Sequence, residues 1–324
     1  MPKPPRARFA TVMLLLLLAL IPPLAVLTEN PFLVTMFSRA LIFALAAVAL
    51  DLVMGYGRMV SFGHAAFFAL GAYTVGILST HAMQDLPLAF GWTGSNEALL
   101  AWPLAMLISG LYALLVGLIS LRTSGVYFIM ITLAFAQLIY FIVISLSQYG
   151  GQDGLALWGR NTLAGVALED PISFYYACFG LLLAVLYLLR RLVGSRFGRV
   201  IEASRQNDVR LRALGIDPFR YRLTAFVISG ALTGLAGALL ANNSEFVDPT
   251  LASWMQSGNF LVIVLLGGIG SLIGPVYGAL ALLLMEELLI ALTEHWQIIL
   301  GPLLILVALF FRGGIYGALR RSSG

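Results

Sequence analysis

Long apolar runs separated by short polar breaks make up almost the whole chain. Runs at about 9–28, 33–54, 60–79, 99–120, 125–147, 172–193, 223–241, 257–270, 275–293 and 296–311 carry very few charges. An α-helix needs about 20 such residues to cross the ~30 Å hydrocarbon core of a bilayer. The pattern therefore predicts an all-α integral membrane protein with about ten transmembrane helices, some broken or short. The run at 257–270 is short and ends on glycine, so a broken or tilted span is expected there. Pro22 and Pro23 predict a kink in the first run. Lys3, Arg6 and Arg8 before an apolar core would also suit a cleaved signal peptide. No small-x-small cleavage site follows, so a retained first span is expected.

One stretch departs from the pattern. Residues 190–222, RRLVGSRFGRVIEASRQNDVRLRALGIDPFRYR, hold nine of the nineteen basic residues against three acids. Ser195 is placed to cap a helix running to about Arg205, with Phe197, Val200, Ile201 and Ser204 on one side. Gln206-Asn207 breaks that helix, Asp208 is placed to cap a second short one, and Gly215 sits where a left-handed residue ends it. Asp217-Pro218 reads as the cap and first position of the next span. Arginines that merely hold a loop in the cytoplasm would account for the charge. They would not account for ordered caps and an apolar face, which point to a segment that docks on a partner protein.

Charge also orients the chain. With the N-terminus inside, seventeen of the nineteen basic residues fall on the inner side, Arg160 falls outside, and Arg39 lies within or at the outer end of the second span. Both termini are then cytoplasmic. Arg39, Asp51, Glu286 and Glu287 lie within spans or at their edges, where an ionisable group is costly and so a candidate for function. Asp51, near an inner end, is expected to reach water. Arg39 is expected either to pair with one of the two glutamates or to snorkel to the headgroups. A proton-coupled secondary transporter would use such carboxylates and is the alternative reading, but it leaves 196–222 without a purpose.

Composition narrows the chemistry. The chain is 60% hydrophobic and 10% charged, so its solvent is lipid, and it reads as a single transmembrane domain over 1–324 with a wet segment at about 194–222. Its net charge of +4 follows membrane sidedness and is no signal for nucleic acid. The single cysteine, Cys178, excludes an internal disulfide framework. Lys3 is the only lysine, so no Gly-rich loop ends in Gly-Lys-Ser/Thr and the chain is not its own ATPase. His64, His81 and His295 are too scattered for a metal site. Ser61 and His64 would be a nucleophile and base in one turn, but packing and capping is the favoured reading. Glycines at helical spacing (Gly71 and Gly76, then Gly230, Gly234 and Gly237) predict close helix approach. GYGRMVSFG at 55–63 and GGIGSLIG at 267–274 interrupt apolar runs near the inner face, which is tolerated only beside protein or water.

Five of these stretches, in order, resemble permease subunits of branched-chain amino acid ABC importers of the LivM type. They are GYGRMVSFGHAAFFALGAY (55–73), LRTSGVYFIMITLAFAQLI (121–139), GGQDGL (150–155), the segment 196–241, and VLLGGIGSLIGPVYGA (264–279). Two departures stand out: the generic Glu-Ala-Ala loop pattern begins at Glu202-Ala203-Ser204 but has Asp208 at its glycine position, and the usual Pro-Gly near the C-terminus reads Arg312-Gly313-Gly314. The resemblance implies a type II ABC-importer-like permease in the bacterial inner membrane. Its partners would be a homologous, LivH-like second permease, two cytoplasmic ATPase subunits that use ATP and Mg, and an extracytoplasmic binding protein that selects a small solute. It implies that Arg196, Phe197, Val200, Ile201, Glu202, Arg205, Asp208, Leu211 and Gly215 belong to the ATPase-coupling loop. It further implies that Ser61, Gly63, His64, Thr132, Gly267, Gly268 and Ser271 shape the pathway. This chain itself would bind no cofactor.

Overall fold

The computed structural model describes residues 5–85, 87, 93–163, 165–293, 295–310 and 313–321, with the side chains of 5–8, 166–167, 307–310 and 319–321 left aside. Lys3, Arg312 and the side chains of Arg6, Arg8, Arg320 and Arg321 in the charge count therefore lie outside the described residues. Each of the ten expected runs contains a helix. The helices are α1 (Pro5–Ala19), α2 (Ile21–Leu27), α3 (Pro31–Asp51), α4 (His64–Gln84), α5 (Ala98–Ser120), α6 (Val126–Ser145) and α7 (Pro171–Gly194). They continue with α8 (Arg196–Gln206), α9 (Asp208–Ala213), α10 (Pro218–Ser244), α11 (Trp254–Gly267), α12 (Gly274–Leu292), α13 (Trp296–Phe310) and α14 (Gly314–Arg321). Among the described residues, seven are long and apolar enough to cross a bilayer alone, and the bent pair α1–α2 counts as an eighth if it is one span. At 14 residues, α11 covers about 21 Å, less than a full crossing.

Three helices form the centre. From Ala40 to Leu50, α3 is apolar all round and buried all round, the pattern of an interior helix. It packs against α10, α12, α7 and α11, while α10 also packs against α4 and α5. Lipid gives no hydrophobic drive to this association, so close backbone contact must supply it. A Cβ on Gly71 would lie 1.9 Å from the Gly234 carbonyl oxygen, and one on Gly237 would lie 1.8 Å from that of Phe68. Only glycine permits α4 and α10 to approach so closely. By contrast, α5, α6 and α7 present long apolar stretches outward, including Leu107, Leu111, Met130, Phe141 and Tyr187.

The kink in the first run is a 42° bend between α1 and α2. Pro22 and Pro23 have no N–H, so the carbonyls of Leu18 and Ala19 lose their helical donors. Two hydroxyls of α7 replace them: Tyr175 donates to Leu18 O at 2.7 Å and Tyr176 to Ala19 O at 3.3 Å. The third run starts later than its hydropathy suggests. Residues 60–63 are largely apolar but not helical, and α4 begins only at His64. The seventh begins earlier, because Asp217 accepts from Phe219 N and sets Pro218 as the first helical residue. At the opposite end from α8, strand β1 (Leu155–Ala156) pairs antiparallel with β4 (Phe246–Val247), and β2 (Thr162–Leu163) with β3 (Val166–Ala167). There Arg160 is nearly buried, 5.0 Å over the Phe174 ring and 3.4 Å from Glu245 Oε1, and Asn161 exchanges hydrogen bonds with Asn242.

Candidate functional site

The two interruptions that the sequence places 200 residues apart come together at Asp51. A turn of π-helix, Leu52–Tyr56, follows α3, and the chain then runs without regular structure to Gly63, with Arg58 left-handed at φ 53°. Between α11 and α12, Gly268, Gly270 and Leu272 all have positive φ, so residues 268–273 form a tight non-helical loop. The Asp51 carboxylate accepts from Gly270 N at 2.7 Å through Oδ1 and from Leu272 N at 3.2 Å through Oδ2. It is fully buried, which corrects the expectation that it reaches water. Loop amides solvate the charge instead. The contact with the first break is tight: a Cβ on Gly55 would lie 2.3 Å from Asp51 Oδ1 and 2.5 Å from Gly270 N.

Backbone groups freed by the first break are taken up from four directions, as a break at membrane depth requires. Thr132 of α6 accepts from Phe62 N at 3.2 Å. Ser257 of α11 donates to Phe62 O at 2.6 Å and accepts from Ala65 N at 3.0 Å. Ser61 accepts from Gly63 N. Arg205 of α8 donates to Gly55 O at 2.9 Å. His64 lies 2.8 Å from Ser229, whose hydroxyl donates to Ala49 O, so the His64 Nε2 carries the proton in that pair. Ser61 and His64 are thus packing and capping residues, each fully buried. Ser61, Gly63, His64, Thr132, Gly267 and Gly268 are all enclosed in this conformation, and Ser271 is half-buried, bonded to Gly268 O and Gly274 N. Ser229 and Ser257 complete this network. Ser229 is a lone hydroxyl in an apolar run and Ser257 one of several polar residues at the start of α11, so neither is marked out in the sequence.

The basic segment folds into the two short helices expected of it, with three corrections. Ser195 caps α8, accepting from Phe197 N. The cap of α9 is Asn207, accepting from Arg210 N, while Asp208 sits one residue inside and pairs with both terminal nitrogens of Arg222 at 2.7 and 2.9 Å. Asp208 therefore ties α9 to α10 and does not cap it. Gly215 has φ 77°, as expected of a left-handed terminator. Ile201 and Leu211, expected on a docking face, are buried in this chain, because the apolar side of α8 packs against α7, α10 and the π-helical turn, and α9 packs against α8 and α10. Phe197 and Val200 are half-buried, Phe197 against Tyr221 at 5.6 Å between ring centres. Arg196, Glu202, Val209 and Leu214 remain exposed. An open cavity of about 180 Å³ lies beside α8, lined by Arg58, Leu121, Gly125, Phe128, Arg205 and Arg222 among others.

The remaining membrane charges are less organised. Arg39 is exposed and lies over the Phe43 ring at 5.4 Å. Glu286 and Glu287 are half-buried. Glu286 is within electrostatic range of Arg39, yet among the described residues neither glutamate makes an ion-pair contact with it.

The family model for "Branched-chain amino acid transport system / permease component" matches residues 32–308. The chain belongs to that family. This permease is 29% identical over 328 residues to the high-affinity branched-chain amino acid transport permease LivM of Salmonella typhimurium, covering 94% of this chain and 74% of that one. It is 29% identical to LivM of Escherichia coli, covering 85% and 68%. Against the autoinducer 2 import permease LsrC of Yersinia enterocolitica it is 29% identical, covering 95% and 84%. No solved structure matches the permease. It is a multi-pass membrane transport component, and the secondary-transporter alternative is not favoured.

Proposed function

We propose that this permease moves branched-chain amino acids inward across the bacterial inner membrane as one of two homologous permease subunits, the other LivH-like. Two ATPase subunits dock at α8–α9 and use ATP and Mg, and an extracytoplasmic binding protein delivers the solute. The chain binds no cofactor of its own. The observation that carries the reading is a family-matching membrane domain with a capped, basic helix pair, α8–α9, standing outside it at one end. On this reading the end bearing Arg58, Arg122 and α8–α9 is cytoplasmic, as are both termini. LivM relatives support an amino acid solute, and LsrC relatives support a pathway that leaves selection to the binding protein. The test is reconstitution in proteoliposomes with all partner subunits. Radiolabelled leucine should accumulate only when ATP, both ATPases and the binding protein are present. Uptake driven by a proton gradient in the permease alone would overturn the proposal.

A further inference from the structure

The first helix break is held from two sides by charged groups, and the two come from functionally separate parts of the chain. On one side Arg205, near the end of α8, donates to Gly55 O at 2.9 Å. On the other, Asp51 holds the amides of Gly270 and Leu272, and the Gly55 backbone lies so close to both that no Cβ fits. Gly55 is therefore a wedge between α8 and the 268–273 loop. The π-helical turn ends at Tyr56, so the Gly55 carbonyl is among the last of the helix and is open to the guanidinium. Leu272, at φ 44°, is held left-handed, a conformation that needs outside support in a residue with a Cβ. The carboxylate contact on its amide supplies that support.

We propose that Arg205 and Asp51 are the positioning residues that transmit movement of the basic segment to both interrupted helices. Displacing α8 pulls on Gly55 through Arg205, and the displaced wedge shifts the Asp51-bound loop that joins α11 to α12. Arg222 keeps this lever rigid, because it bonds Ser204 O at 2.8 Å and clamps Asp208, fixing α8 and α9 to α10. The link rests on the proposed ATPase docking at α8–α9, but it is a separate claim about which side chains carry the motion.

The test uses the full reconstituted importer with radiolabelled leucine, measuring ATP hydrolysis, uptake and ATPase retention on purification. Arg205 is exposed on its helix, so Arg205→Ala should fold and assemble. Leucine moved per ATP hydrolysed should fall roughly tenfold, whatever the change in hydrolysis itself, the scale of one lost charge-assisted hydrogen bond in a coupling pathway. Arg205→Lys, which keeps a cationic donor, should recover part of that ratio. Arg199→Ala removes the same charge from the same helix without touching Gly55, and should change hydrolysis and uptake in proportion if it changes either. Amide exchange of a peptide covering 268–274, which Arg205 does not contact, should accelerate in Arg205→Ala and not in Arg199→Ala. An unchanged uptake-to-hydrolysis ratio in Arg205→Ala, or unchanged exchange in that peptide, overturns the link. Failure of the unmodified importer to take up leucine with ATP would instead overturn the functional reading.

Discussion

Tyr175→Phe removes one oxygen atom and should expose the cost of the bend in the first run. The Leu18 carbonyl, on a residue only 2% exposed, loses its helical donor to Pro22 and takes the Tyr175 hydroxyl instead. An orphaned buried acceptor costs about 1–3 kcal/mol, whereas interhelical hydrogen bonds measured in membranes average about 0.6 and reach about 1.7. A loss of about 1–1.5 kcal/mol is expected, or roughly 2 °C in Tm for a chain of this size. Tyr176→Phe removes a longer bond from an exposed residue and should cost under about 0.5 kcal/mol. Cys178 provides the assay: it is the only cysteine and is buried, so a thiol-reactive fluorophore reports unfolding in detergent. The decisive comparison repeats Tyr175→Phe in a Pro22→Ala background, where residue 22 regains an N–H aimed back at Leu18. Its cost should then drop by about 0.5–1 kcal/mol. Equal costs in the two backgrounds, or a larger effect from Tyr176→Phe, would refute the argument.

Gly237→Val should abolish the folded permease, because its Cβ would overlap the Phe68 carbonyl, whereas Gly258→Ala, with open space around it, should leave monodisperse yield unchanged in size-exclusion chromatography. Orientation is checked with Cys178→Ser as background: Ala156→Cys should react with an impermeant thiol reagent added outside intact cells and Ala213→Cys should not. Labelling at 213 would reverse the assignment of sides. The Ser173 amide and hydroxyl bonds hold the Asp170 carboxyl below its ordinary value of 3.8. Its folded pKa is depressed, so the stability it contributes is present above that ordinary value and fades as pH falls through the folded one. An acid melting series should lose this component in Asp170→Asn.

Hydropathy located the helices because every span, interior or peripheral, must exclude polar groups. For the same reason it could not rank them: the fully enclosed α3 and the outward-facing α6 read alike, since lipid is as apolar as a leucine core. Capping signals survived where the local backbone decides the outcome, as at Ser195, Gly215 and Asp217. They failed at Asp208, where a distant arginine, Arg222, captured the carboxylate and left Asn207 to cap. The apolar face of α8 was legible, but amphipathicity identifies a buried face without naming the body that buries it. Here that body is the same chain, so Ile201 and Leu211 turned inward. Both helix breaks were visible as glycine-rich interruptions. Their meeting at Asp51 was not, because nothing in either stretch encodes a contact spanning more than two hundred residues.

That separation has a consequence for how the permease is made. Asp51 precedes its amide partner Gly270 by 219 residues, which at 5–20 residues per second is roughly 11–44 s of synthesis. Throughout that interval a carboxylate sits at the end of a mostly apolar helix with no loop to receive it. The final seating of the central helix therefore waits for the α11–α12 hairpin to emerge, and a helix translated early is among the last to be finished.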